Sequence, residues 1–138
     1  MEYKTTGTGI YDLYVPFVEK GVRLLNELGR MCFIMPHKFI NSNYGKSLRG
    51  FLCKDQLIEK IVHFGAQQIF EDATTYTGLF FISKNENQNV EYVFLDGIES
   101  FKNGELLNFR KSSFDTLSSD NWMFLDINES IILDKLRM

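Results

Sequence analysis

The stretch from Asp12 to Pro36 constrains this chain more than any other. Tyr14, Phe17, Val18, Val22, Leu25 and Leu28 recur at helical spacing and predict one apolar stripe on one helix. Asp12 stands where a side-chain cap would start that helix, and Pro16 falls near the first turn, where proline is tolerated. Gly29 is placed to end it. Met31 to Met35 then run unbroken in apolar residues between Gly29 and Pro36. Such a run fits a parallel strand covered on both faces, and Cys32 within it is expected to be buried and structural. A helix feeding a short buried strand is one αβ unit of a nucleotide-binding type of sheet.

The rest of the chain extends that pattern. Residues 1–10 are polar and glycine-containing and read as a loop or frayed start. Asn41-Ser42-Asn43 offer caps for a second helix, about Tyr44 to Cys53, with Tyr44, Leu48, Phe51 and Leu52 as its apolar stripe. Ile58 to Phe64 reads as a strand stopped by Gly65, and Leu79 to Ile82 as another. Lys84 to Asn89 is a polar turn from which Val90 to Leu95 can return antiparallel. The Met31–Met35 and Ile58–Phe64 strands are expected to be parallel, with Tyr44–Cys53 as the crossover helix. Asp96 to Asp120 turns polar, and Asp126 and Glu129 have capping-box spacing before a final helical pattern that the chain leaves unfinished at Met138.

Composition excludes several classes. With 138 residues, 44% hydrophobic and 14% aromatic, the chain can bury a core and is not disordered as a whole. No apolar run is long enough for a membrane span and no signal peptide opens the chain, so a cytoplasmic protein is expected. Cys32 and Cys53 make neither a disulfide framework nor a metal site. The net charge is −3, but residues 30–63 hold six bases (Arg30, Lys38, Lys46, Arg49, Lys54, Lys60) against Asp55 and Glu59. An acidic chain can still present a basic face to a polyanion; a solvated helix face is the plainer reading.

Local motifs alone say little. Gly7-Thr8-Gly9 lacks the preceding strand that a cofactor loop needs. His37 and His63 are isolated in sequence, without the spacing of a metal site. Trp122 reads as a packing anchor rather than a base reader.

Four pieces in order carry a resemblance: Asp12-Leu13-Tyr14 with Phe17, Glu19 and Lys20; Leu24-Leu25 through Pro36, then Lys38-Phe39; Tyr44-Gly45-Lys46 with Leu48, Arg49, Phe51 and Leu52; and Ile61-Val62, Phe64-Gly65, Ile69-Phe70, then Asp72-Ala73-Thr74-Thr75-Tyr76. Over about residues 10–84 the chain resembles the adenine-specific (N-6) DNA methyltransferases of type II restriction-modification systems, the gamma-class enzymes with their bifunctional type IIG-like members. The implied fold is α/β: the C-terminal half of a Rossmann-like S-adenosylmethionine-dependent sheet, of parallel strands with an antiparallel edge at Leu79–Ile82. On that resemblance residues 1–95 belong to the catalytic domain and 96–138 lead into a target-recognition region.

The resemblance also implies roles. Such enzymes move a methyl group from S-adenosylmethionine to the exocyclic amine of an adenine flipped out of double-stranded DNA. Phe70 matches the aromatic on which the flipped base stacks, and Phe17 the residue packing on the cofactor's adenine; Phe17 also lies on the predicted helix stripe. Lys38, Lys46 and Arg49 are candidate phosphate contacts, from the local basic excess. The family's Asn/Asp-Pro-Pro-Tyr/Phe motif is not in this chain, whose two prolines are Pro16 and Pro36; the glycine-rich cofactor loop and its acidic ribose partner are missing too. The chain alone is therefore expected to be inactive, with no catalytic residue of its own, and to self-associate through its open half-sheet. A non-catalytic DNA-binding or specificity module and an interaction protein with a degenerate half-fold stay open as alternatives.

Overall fold

The computed structural model describes residues 3–6, 10–95 and 98–124. The expected final helix after Asp126 and the Gly7-Thr8-Gly9 segment lie outside them. Five strands form one mixed sheet: β1 (Arg30–Pro36), β2 (Ile58–His63), β3 (Thr77–Ser83), β4 (Asn89–Phe94) and β5 (Arg110–Ser113). Their order is β1-β3-β2-β4-β5. Helices α1 (Tyr14–Leu24) and α2 (Lys46–Lys54) pack with one face of it, and a short α3 (Glu99–Lys102) follows β4.

The topology corrects the expected neighbours. β1 and β2 do run in the same direction, because both pair antiparallel with β3. However, β3 lies between them rather than at an edge. Likewise β4 does not return beside β3; it pairs parallel with β2, Ile61 opposite Tyr92. A central strand must be apolar on both faces, and Gly78-Leu79-Phe80-Phe81-Ile82 meets that demand. β5 then joins β4 antiparallel, beyond the compositional boundary expected at 95/96.

β1 is an edge strand among the described residues, and it is not covered on both faces. Cys32 is exposed rather than buried, and Ile34 is 46% exposed. The opposite face of β1 packs inward through Met35, with Met31 and Phe33 against Gly21 of α1.

α1 also differs from its sequence pattern. Its buried residues are Val15, Val18, Glu19 and Val22, a single helical face. Leu13, Phe17 and Leu24 are 76%, 62% and 72% exposed and lie about half a turn away. Of the expected stripe, Val18 and Val22 are buried while Phe17 lies on this outer face. The helix stops at Leu24, short of Gly29, and neither Asp12 nor the 41–43 run provides a side-chain cap; the Asp12 backbone carbonyl accepts the Val15 N–H.

Glu19 is a fully buried carboxylate on α1. It accepts the backbone N–H groups of Lys4 (3.1 Å) and Thr5 (2.8 Å) and the Thr5 hydroxyl (2.7 Å), and it pairs with Arg23. Burial alone would raise its pKa; those donors outweigh it and hold the carboxyl below its ordinary value. They also fasten the Lys4–Thr6 turn to α1, so this part of the expected frayed start is held. The core itself joins Val15, Val18 and Val22 with Leu48 and Leu52 of α2, Phe80 and Ile82 of β3, Ile61 of β2, and Phe114, Leu117 and Trp122 from after β5. Each such aliphatic or aromatic side chain contributes roughly 1.5–3 kcal/mol by leaving water.

Candidate functional site

β1, β2 and β4 all point their carboxyl ends to the same side of the sheet. Ligands of open α/β sheets bind at that side, because the loops leaving the strands diverge there. A cleft of about 940 Å³ opens at this place, lined by Asp12, Leu13 and Tyr14 before and in α1, by Pro36, His37, Lys38, Asn41, Ser42 and Tyr44 after β1, and by Thr74, Thr75 and Tyr76 before β3. Its polar groups are hydroxyls, an amide, an imidazole, one cation and one carboxylate. With Leu13, Pro36 and the rings of Tyr14, Tyr44 and Tyr76 beside them, these groups suit a ligand that has both a flat apolar part and hydrogen-bonding edges.

The segment after β1 is rigidly built. Arg49 of α2 is 1% exposed. Its guanidinium donates to the carbonyls of Phe39 and Ser42 (2.7 Å), Ser119 (2.9 Å) and Asp120 (2.7 Å). Arg49 points into the protein and ties two loops to α2, with four of its five N–H groups given to backbone carbonyls. Burial lowers its pKa, and Asp120 opposes that shift. Lys46 is exposed but pairs with Asp120 at 2.5 Å. Lys38 is exposed at the cleft. Trp122 is 3% exposed, packs edge-on to Phe39, and donates its indole N–H to Cys53 Sγ at 3.1 Å, the anchor its sequence context suggested. Burial pushes the Cys53 thiol up to about 11, so it accepts this bond as a protonated thiol.

The Tyr14 and Tyr44 hydroxyls meet at 3.0 Å in the cleft wall. Burial raises the pKa of both, which keeps both protonated. Sequence reasoning named these tyrosines as stripe residues and in the resemblance, and did not pair them.

Phe70 occupies the loop between β2 and β3 and is 46% exposed, so it does not plug the bottom of the sheet. Phe17 is exposed on the outer face of α1, one helical turn beyond Leu13. The two histidines that look isolated in sequence are in contact, with ring centroids 4.0 Å apart. His37 follows β1 and His63 ends β2. Two strands running the same way bring their carboxyl ends together, and that was the available signal. Among the described residues no group of three or more His, Cys, Asp or Glu could hold a metal, and no helix is long and apolar enough to cross a membrane.

Residues 1–70 match the model of the Eco57I restriction-modification methylase family. The chain is 32% identical over 115 residues to the type II restriction enzyme and methyltransferase RM.Eco57I of Escherichia coli, covering 82% of this chain and 12% of that protein. It is 28% identical over 127 residues to the type II methyltransferase M.AccI of Acinetobacter calcoaceticus, covering 89% of this chain and 23% of that one. Among solved structures, the type IIG restriction endonuclease BpuSI superposes with a TM-score of 0.62 at 17% identity, over 83% of this chain and 16% of BpuSI. A DrdV–DNA complex superposes at 0.63 and 17%, over 91% of this chain and 15% of DrdV. The chain thus spans a quarter or less of each of these proteins.

Proposed function

The chain belongs to the Eco57I restriction-modification methylase family, and from that membership we infer that it supplies the C-terminal part of the catalytic fold of a site-specific DNA adenine methyltransferase. Its partner in that role is double-stranded DNA. Residues 96–138 lead toward target recognition while β5 and the Trp122 turn brace the sheet. The observation that carries the reading is Phe70: a large aromatic ring, half exposed, on a loop beside the cleft at the carboxyl end of the strands.

An adenine taken out of the duplex loses its stacking partners, and a flat apolar ring restores roughly 1–3 kcal/mol of that loss. Phe70 provides such a ring. Lys38, exposed in the same cleft, is the best placed of the three basic candidates to meet a phosphate; Lys46 would first have to leave Asp120.

S-adenosylmethionine would supply the methyl group. Phe17 fits one wall of its adenine subsite, since its ring is exposed and free of the core. No glycine-rich loop or Asn-Pro-Pro-Tyr motif is in this sequence, so the chain by itself holds the cofactor weakly and transfers no methyl group.

The test is Phe70→Ala in the full-length enzyme that contains this chain. Methyl transfer to duplex DNA should fall about 5- to 150-fold, the rate equivalent of the stacking energy. The fluorescence of a 2-aminopurine at the target position should change with it. Unchanged methylation and an unchanged signal would sink the reading.

A further inference from the structure

We propose that His37 and His63 are positioning residues, a pair of imidazoles that clasps both ends of the 65–76 loop and so fixes where Phe70 stands. The proposal rests on the reading of Phe70 given above for its functional meaning, but its geometry stands on its own. The Gly65 N–H donates to His63 Nδ1 at 2.9 Å. The Gly65 carbonyl lies 3.2 Å from His37 Nε2, which donates to it. Gly65 has a φ of +60°, a conformation that favours glycine, so the sharp departure of the chain from β2 is held on both sides of that residue.

His37 also reaches the other end of the loop. Its backbone N–H donates to the Tyr76 carbonyl at 3.2 Å, and its ring stacks on the Tyr76 ring at 6.3 Å. One residue therefore touches both the first and the last residue of the loop. Closing a loop costs entropy that a bound base would otherwise have to repay. A clasp formed beforehand removes that cost.

The two bonds assign the tautomers. His63 Nδ1 accepts, so its proton is on Nε2; His37 Nε2 donates. Protonating His63 would set a second donor against the Gly65 N–H. Burial and the neighbouring His37 hold the His63 pKa down to about 4, which keeps the acceptor available near neutrality. The groups around the pair are the Phe94 ring from β4, Tyr76 from the loop end, and, sharing the cleft with His37, Asp12 ahead of α1 and Lys38.

Backbone amide exchange of residues 65–76, followed in this chain by NMR from pH 4 to pH 8, tests the clasp. His37→Ala should raise exchange across the loop about tenfold at pH 7. His37→Gln, whose amide N–H₂ stands in for Nε2–H, should restore most of the protection. In the unsubstituted chain, protection at Gly65 beyond the intrinsic pH trend should fall as the pH approaches 4. His63→Asn, which keeps an acceptor at the Nδ1 position and does not titrate, should abolish that fall. Unchanged exchange in His37→Ala, or a pH dependence that survives in His63→Asn, would overturn the proposal. Phe70→Ala in the full-length enzyme separates the two ideas. A protected loop with a silent Phe70 would refute the stacking role alone, and an essential Phe70 with an indifferent His37→Ala loop would refute the clasp alone.

Discussion

The two loops that leave the sheet side by side, residues 37–45 after β1 and 64–76 after β2, are held in opposite ways. The first is threaded over a buried guanidinium, which donates to the carbonyls of Phe39 and Ser42, and is plugged into the core by Phe39 and Ile40. Beyond the buried Phe64 at its start, the second has no such anchor among its described residues: Ala66, Gln68, Phe70 and Glu71 are exposed, and hydrogen bonds to imidazole hold its beginning. One loop is scaffold and the other is free to respond. A site that must admit a large planar ligand needs both, a fixed wall and a part with a low opening energy.

The largest effect should come from breaking the scaffold loop. Arg49→Ala removes a buried cation and leaves the carbonyls of Phe39, Ser42, Ser119 and Asp120 without their donor. The loss should be about 3 kcal/mol or more, since unsatisfied buried acceptors each keep their desolvation cost. Urea unfolding should show a lower midpoint at an unchanged slope. A loss below about 1 kcal/mol would mean that the loop is held by its apolar plugs, and the contrast between the loops would lose its basis. Gly45→Ala probes the same contact sterically. A Cβ there would lie 2.0 Å from the Phe39 carbonyl oxygen and 2.7 Å from Arg49 Nη1, so roughly 1–3 kcal/mol of overpacking is expected in the same unfolding assay.

A smaller effect should mark the responsive loop through pH. The folded-state pKa of His63 is about 4, below the ordinary 6.5. Between these values the unfolded chain binds a proton that the folded one refuses. His63 therefore makes stability fall as the pH drops from about 6.5 to about 4, and it adds no further slope below that. Glu19 acts in a different window. Its folded pKa is held below 4.5, so the stability it gives is lost only as the pH falls through that lower value. Thermal unfolding against pH should resolve the two, and His63→Asn should flatten the upper window while leaving the lower. A His63→Asn profile that still slopes between pH 6.5 and 4.5 would place the titrating group elsewhere.

How much of this could be read from the sequence depends on whether the signal was local. Helices α1 and α2 and strands β1 to β4 were legible as elements, because apolar periodicity and the Pro36 and Gly65 punctuation are local; α3 and β5, short and polar, were not. Strand order was not. Met31–Met35 and Leu79–Ile82 are equally apolar runs, yet β1 is at an edge and β3 is inside, and nothing within either run distinguishes them. Faces on α1 were misread for a related reason. Phe17 is apolar yet 62% exposed, so hydrophobicity alone placed it on the core stripe. At the site, the burial of Arg49 was not legible from charge. A basic residue three positions from Lys46 looks like half of a phosphate patch, until a turn some seventy positions away supplies two of its carbonyl partners. The His37–His63 contact was implicit in the expectation that their strands run the same way.

The smallest expected effect is the sharpest test of the contrast. Phe70→Ala would ordinarily be a costly change, since a core phenylalanine loses about 3–5 kcal/mol on truncation. Here the ring is 46% exposed on the responsive loop, and it makes no aromatic contact among the described residues. Its truncation should change the stability of the chain by no more than about 0.5 kcal/mol, the range of ordinary surface substitutions. Phe39→Ala, on the scaffold loop and fully buried between Tyr14, Phe80 and Trp122, should cost the core value. Urea midpoints for the two variants decide the matter. If Phe70→Ala destabilised the chain as much as Phe39→Ala, its ring would be part of the packing. The two loops would then be scaffold alike, and the exposed phenylalanine would lose its claim to be held for a ligand.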